Sequence, residues 1–133
     1  MKNYFSALVV LLFLAPTFTV LSQCVEGESE VVVQILTDNY PAETTWTLSD
    51  ASGTLLTGGP YSGQNTTYTA STCIPNTGDP SCLQFVIDDS YGDGICCGYG
   101  NGDFTLLIDG VEVATGNGLA INKGGNIILC QHG

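Results

Sequence analysis

The residues with the greatest capacity for chemistry lie in one segment, residues 88–103, where four of sixteen residues are aspartate and five are glycine. Carboxylates at this density repel one another unless a cation lies between them, and glycines let the backbone turn tightly enough for carbonyl oxygens to join a coordination shell. Calcium suits such oxygen donors. The EF-hand spacing is not followed, since Tyr91 and Gly100 would occupy the third and twelfth positions if Asp89 were the first. We therefore predict a loop site of a different kind.

A second acidic loop is needed to complete such a site, and residues 38–43 are the best donor because they add two carboxylates on a turn held by Pro41. The predicted cofactor is Ca²⁺. Its predicted ligands are Asp38, Glu43, Asp88, Asp89 and Asp93. The alternative is that these are solvated turn residues, since Asp and Gly favour turns for conformational reasons.

The chain contains six cysteines, an even number that is typical of a disulfide framework in a secreted protein. The adjacent Cys96 and Cys97 could close a ring with each other or pair with separate partners, and the second arrangement is expected. The predicted bridges join Cys24 to Cys130 and connect the other four among themselves: Cys73, Cys82, Cys96 and Cys97. Zinc is not expected, because no CxxC spacing occurs.

Four tyrosines fall in predicted loops, where their rings could stack on sugars: Tyr40, Tyr61, Tyr91 and Tyr99. The alternative is that the rings pack over neighbouring glycines. Asn65 begins an Asn-Thr-Thr triplet that fits an N-glycosylation acceptor on a surface loop.

The composition argues against catalysis and against nucleic-acid binding. The chain has 13 acidic residues against 2 lysines and no arginine, so it has almost no cation with which to bind phosphates. His132 is the only histidine, it lies one residue from the end, and no Gly-x-Ser-x-Gly motif occurs. Paired carboxylates could act as in a glycosidase, but small loops leave little room for a substrate cleft, and we predict that the protein is not an enzyme.

Residues 1–22 have the parts of a secretory signal peptide: Lys2, an apolar run from Ala7 to Ala15, and a cleavage site ending at Ser22. The run is too short for a membrane span of about 20 residues, although a membrane anchor or acylation of Cys24 is the alternative. We predict an extracellular or cell-surface protein with one mature domain, residues 23–133.

The mature sequence indicates strands, because apolar residues alternate with polar ones in short runs between turn residues. Asp109-Gly110 is a strong hairpin signal. The predicted fold is all-β, an antiparallel, jelly-roll-like β-sandwich. Its eight predicted strands are residues 30–37, 44–49, 54–57, 66–72, 83–88, 103–108, 111–115 and 126–130.

Two motifs resemble a known module: Asp38-Asn39-Tyr40-Pro41 followed by Glu43-Thr44-Thr45-Trp46, and Asp89-Ser90-Tyr91-Gly92-Asp93-Gly94-Ile95-Cys96-Cys97. They look like a recurrent secreted β-sandwich module of extracellular proteins from marine bacteria and protists, over about residues 30 to 130. The resemblance implies a fold and an extracellular setting more than an activity. A more distant likeness, to calcium-bearing pre-peptidase C-terminal and carbohydrate-binding jelly-roll domains, is a likeness of fold alone.

Two functions follow from these observations. The first is a calcium-stabilised binding or adhesion module that recognises a glycan or another extracellular polymer. The alternative is a structural subunit that self-associates into a fibre, coat or matrix, through edge strands and acidic loops bridged by calcium.

Overall fold

The computed structural model describes residues 24–76, 82–116 and 125–129, and the predicted signal peptide, Cys130 and His132 lie outside these ranges. The described residues form eight strands and one short 3-10 turn, Pro41–Glu43. The strands are β1 (Glu28–Leu36), β2 (Thr44–Asp50), β3 (Gly53–Gly58), β4 (Thr67–Pro75), β5 (Leu83–Asp89), β6 (Asp103–Ile108), β7 (Val111–Gly116) and β8 (Gly125–Leu129).

The strands form two four-stranded sheets, one in the order β4-β1-β6-β7 and the other in the order β3-β2-β5-β8. Every pair of neighbouring strands is antiparallel. The predicted antiparallel β-sandwich of eight strands is therefore confirmed. The predicted β4 ended at Thr72, whereas the strand runs on to Pro75, because its last residues pair with the beginning of β1.

The core forms where the inward faces of the two sheets meet. Alternate residues of each central strand are buried, as in Val31, Val33 and Ile35 of β1, because successive side chains of a strand point to opposite faces. The Phe85 ring on one sheet lies 5.2 Å from the Phe104 ring on the other, measured between centroids. Aromatic contacts thus join the two layers.

The hairpin predicted at Asp109-Gly110 is present. Both residues have positive φ, 49° and 78°, which a type I′ turn requires. The Asp109 carboxylate also accepts hydrogen bonds from the Glu30 backbone N–H at 2.9 Å and from the Ser29 hydroxyl at 2.7 Å. This aspartate therefore ties the β6–β7 turn to β1.

The disulfide pairing differs from the prediction. Cys24 is bonded to Cys73 and not to Cys130, and Cys96 is bonded to Cys97. Cys82 is also disulfide-bonded. Antiparallel pairing of β1 with β4 places Glu28 opposite Pro75, so the chain that precedes β1 passes beside the end of β4, where Cys73 lies. The pairing of Cys24 with Cys130 was predicted from their positions near the two ends of the domain, and those positions do not show which strands become neighbours.

None of the helices in the described ranges has the length and apolar character needed to cross a membrane.

Candidate functional site

Two loops meet at one end of the sandwich, because β2 and β5 are neighbours. Thr44, the first residue of β2, pairs with Asp89, the last residue of β5. Beyond this pair, the Ser90 N–H donates to the Glu43 carbonyl at 2.9 Å. The loop between β1 and β2 (residues 37–43) therefore lies against the loop between β5 and β6 (residues 90–102).

Close backbone contact joins these loops further along. The Asn39 N–H donates to the Tyr99 carbonyl at 3.0 Å. Gly100 has a φ of 137°, and a Cβ at this position would lie 2.9 Å from the Asp38 Cβ. Gly100 is therefore required for the close approach of the two loops. The sequence predicts a different role for the glycines of this segment, tight turns that let carbonyl oxygens join a coordination shell.

The loops bring four carboxylates together, which we call the acidic cluster: Asp38, Glu43, Asp89 and Asp93. Oxygen atoms of Glu43, Asp89 and Asp93 lie within 4.8 Å of one another. Asp38 is buried and near enough for the charges of Asp89 and Asp93 to raise its pKa. Three of the five ligands predicted from the sequence therefore lie within ligand distance of one another, and Asp38 lies near them but outside that group.

The electrostatics of the cluster are those of crowded like charges. Burial raises the pKa of the Asp38 carboxyl, the Tyr40 N–H lowers it in part, and repulsion from Asp89 and Asp93 raises it again. Loss of solvation also raises the pKa of Glu43, followed by repulsion from the other three carboxylates. A bound cation would relieve this repulsion.

Asp88, the fifth predicted ligand, does not join the acidic cluster. It is exposed, whereas Asp89 is buried. The two residues are successive in β5, and neighbouring side chains of a strand point to opposite faces. The strand predicted from the sequence, residues 83–88, stops one residue short of Asp89 and therefore does not separate the two carboxylates by face.

Asp89 also has a structural role that the sequence analysis missed. Its carboxylate accepts three backbone hydrogen bonds, from Tyr91 at 3.1 Å, Gly92 at 3.1 Å and Gly94 at 2.5 Å. Asp38 accepts one from Tyr40 at 2.8 Å. An aspartate followed by a turn is the signal that could have predicted both arrangements, since Asp side chains commonly accept from the backbone two residues on.

The donor set fits a calcium ion. Two oxygens bound to one Ca²⁺ at about 2.3–2.6 Å are separated by no more than about 5.2 Å, and the three carboxylates satisfy this limit. Oδ2 of Asp89 already accepts two N–H groups, whereas Oδ1 accepts one and keeps a lone pair. Glu43, Asp89 and Asp93 would hold the ion.

Three tyrosines and two of these carboxylates line an open cleft of about 240 Å³, which we call the tyrosine cleft: Tyr40, Glu43, Tyr91, Asp93 and Tyr99. The tyrosines are 49%, 75% and 54% exposed in chain order. The rings of Tyr40 and Tyr99 lie 5.5 Å apart at 80° to each other. The cleft thus presents aromatic faces to solvent beside the acidic cluster.

Tyr61, the fourth predicted ligand-binding tyrosine, does not line the cleft. Its hydroxyl accepts a hydrogen bond from the Trp46 indole N–H at 2.6 Å, and its ring stacks on Tyr68 at 4.1 Å. Burial raises its pKa. Tyr61 is therefore half-buried and packs against the core.

Asn65 lies on the surface, as the prediction of a glycosylation acceptor requires. Its backbone N–H donates to the Asp38 carbonyl at 3.1 Å, and its side-chain Nδ2 donates to Asn39 Oδ1 at 3.0 Å. Glycosylation itself stays a prediction. These two hydrogen bonds join the loop that contains Asn65 to the loop that carries Asp38 of the acidic cluster.

Comparisons with known protein families, with curated proteins and with solved structures find no match to this chain. The resemblance to the secreted module therefore stays a prediction.

Proposed function

We propose that the protein is a secreted, non-enzymatic module that binds an extracellular polymer such as a glycan in the tyrosine cleft, with Ca²⁺ stabilising the loops that form it. The observation that supports this most is the cleft itself, in which three exposed tyrosines stand beside crowded carboxylates. Exposed aromatic rings on a rigid scaffold suit sugars, because a tyrosine offers a flat apolar face and a polar hydroxyl.

Calcium has a physical role in this proposal. The acidic cluster repels itself, and a divalent cation shared by Glu43, Asp89 and Asp93 would convert this repulsion into attraction between the two loops. Loops that are ordered before binding lose less conformational entropy when the ligand arrives. The metal would therefore favour polymer binding without contacting the polymer.

The calcium part can be tested by melting the mature protein, residues 23–133, in calcium and in EGTA. A metal that binds only the folded state stabilises it by about 2.7 kcal/mol at a hundredfold excess over Kd, so the melting temperature should rise in calcium. Asp93→Asn should remove the rise, and Asp88→Asn, the same change outside the cluster, should keep it. An unchanged melting temperature, with no heat of calcium binding in calorimetry, would contradict this part of the proposal.

The binding part can be tested on a polysaccharide array in calcium. Tyr91→Ala should abolish polymer binding with little loss of stability, because Tyr91 is 75% exposed. Val111→Ala truncates an exposed side chain on β7, outside the residues that line the cleft, and should bind as the wild type does. Turnover of a glycan or peptide by the wild type would refute a non-enzymatic role.

A structural subunit is the second candidate, and one observation favours it. Within the described ranges β7 is the outer strand of its sheet, and Val111 and Val113 on it are exposed. Such an edge can pair with a strand of another copy. Light scattering in calcium without any polymer distinguishes the two, since assembly that needs no ligand supports the structural role and a stable monomer supports the binding module.

A further inference from the structure

The tyrosine cleft is anionic as well as aromatic. Glu43 and Asp93 line it, and Asp38 and Asp89 belong to the same acidic cluster. The described residues include no lysine, arginine or histidine, so no cationic side chain among them is available to pair with a negatively charged ligand. One Ca²⁺ would neutralise only two of the four carboxylate charges. The field in the cleft therefore attracts cations whether or not calcium is bound.

The three tyrosines leave aromatic surface exposed at the cleft, and such surface attracts an organic cation. Tyr40 and Tyr99 stand nearly at right angles, with centroids 5.5 Å apart, and Tyr91 adds a third ring. Aromatic faces attract ammonium groups through the ring quadrupole, and cages of several rings are a known means of binding such groups. The two carboxylates at the cleft add full negative charges to this attraction.

We propose that the tyrosine cleft binds a glycan that contains amino sugars with free, protonated amines. The inference rests on the proposed function and names the class of polymer. The volume of about 240 Å³ is below the range of about 300–1,000 Å³ that is common for drug-sized ligands, which suits one sugar ring. The apolar face of the ring would stack on a tyrosine, and the amine would pair with Glu43 or Asp93.

Other ligand classes fit less well. Acidic glycans and nucleic acids would be repelled, because no described side chain offers a positive charge. Neutral sugars would use the tyrosines and leave the carboxylates without a partner. A lysine side chain of a protein would satisfy the charge, but its thin stem would leave much of the cleft unfilled.

The test uses calorimetry of the mature protein with a β-1,4-linked glucosamine tetramer and with the N-acetylglucosamine tetramer of the same linkage. Acetylation replaces the positive charge with a neutral amide at the same position. At a pH of about 6, below the pKa of the sugar amines, and in EGTA, where no metal occupies Glu43 and Asp93, we expect the free amine form to bind at least about tenfold more tightly, a difference of about 1.4 kcal/mol. Asp93→Asn should remove most of this preference, whereas Asp88→Asn, the same change outside the cleft, should retain it.

Three outcomes would overturn the inference, and they are distinguishable from failure of the proposed function. Equal or tighter binding of the acetylated tetramer would refute the role of the amine, while the cleft would remain a glycan site. Binding of a lysine tetrapeptide as tight as that of the glucosamine tetramer would refute the assignment to a sugar. Binding of neutral or acidic polymers alone on the array would refute selectivity for amines. If no polymer binds at all, the proposed function fails as well.

Discussion

Replacement of Asp89 by alanine tests whether this residue organises the loop that carries the acidic cluster. The carboxylate accepts hydrogen bonds from three backbone N–H groups within five residues of it. The alanine variant removes all three at once. Measurements in EGTA separate this structural effect from any loss of metal binding.

The expected magnitude depends on which N–H groups can reach water. A hydrogen bond to a charged acceptor contributes about 1.5–3 kcal/mol, but Tyr91 is 75% exposed, so water can replace its acceptor. Gly94 is buried, so its N–H loses its partner without compensation. Relief of repulsion in the acidic cluster offsets part of the loss. We expect the free energy of unfolding to fall by about 2–4 kcal/mol, against a typical total of about 5–15 kcal/mol.

Urea denaturation and thermal melting of the mature protein measure this change. The melting temperature should fall by about 8–16 °C, since 1 kcal/mol corresponds to about 4 °C or more in a domain of this size. Asp89→Asn keeps one acceptor oxygen and should show an intermediate loss. Asp88→Ala is the matched control, because it removes an exposed carboxylate one residue away. The reasoning fails if Asp89→Ala destabilises the protein by no more than about 0.5 kcal/mol beyond this control.

Three further predictions concern the rest of the domain. Removal of both Cys24 and Cys73 by alanine should lower the free energy of unfolding by up to about 4 kcal/mol, because the bridge closes a long loop with a sequence separation of 49, and non-reducing peptide mapping of the wild type should find these two residues linked. Tyr61→Phe leaves the indole N–H of the buried tryptophan without its acceptor and should cost about 1–3 kcal/mol in urea denaturation. The raised pKa values of Asp38 and Glu43 mean that the folded state binds protons more tightly than the unfolded chain, whose carboxyls titrate near 3.8 and 4.5. In EGTA the melting temperature should therefore rise as pH falls from neutral toward this window, and the stabilisation by calcium should shrink over the same interval.

The strands could be predicted from the sequence because the side-chain period of a strand is two and the turns carry recognisable residues. Trp46 and Leu48 alternate with threonines in β2, and the Asp109-Gly110 hairpin has the backbone angles that its residues favour. The meeting of the two acidic loops was also predictable in outline, since residues 38–43 were expected to complete a cation site with residues 88–103. These features depend on local chemistry.

The tertiary structure decided the features that depend on strand order. Pairing of β1 with β4 places Cys24 beside Cys73. Asp89, the last residue of β5, lies in the acidic cluster, whereas Asp88 points to the opposite face of the strand. Tyr61 lies in a loop, yet it is half-buried against the core and accepts a hydrogen bond from the Trp46 indole N–H. Contacts of this kind join residues that are distant along the chain, and a local pattern contains no information on which distant strand becomes the neighbour.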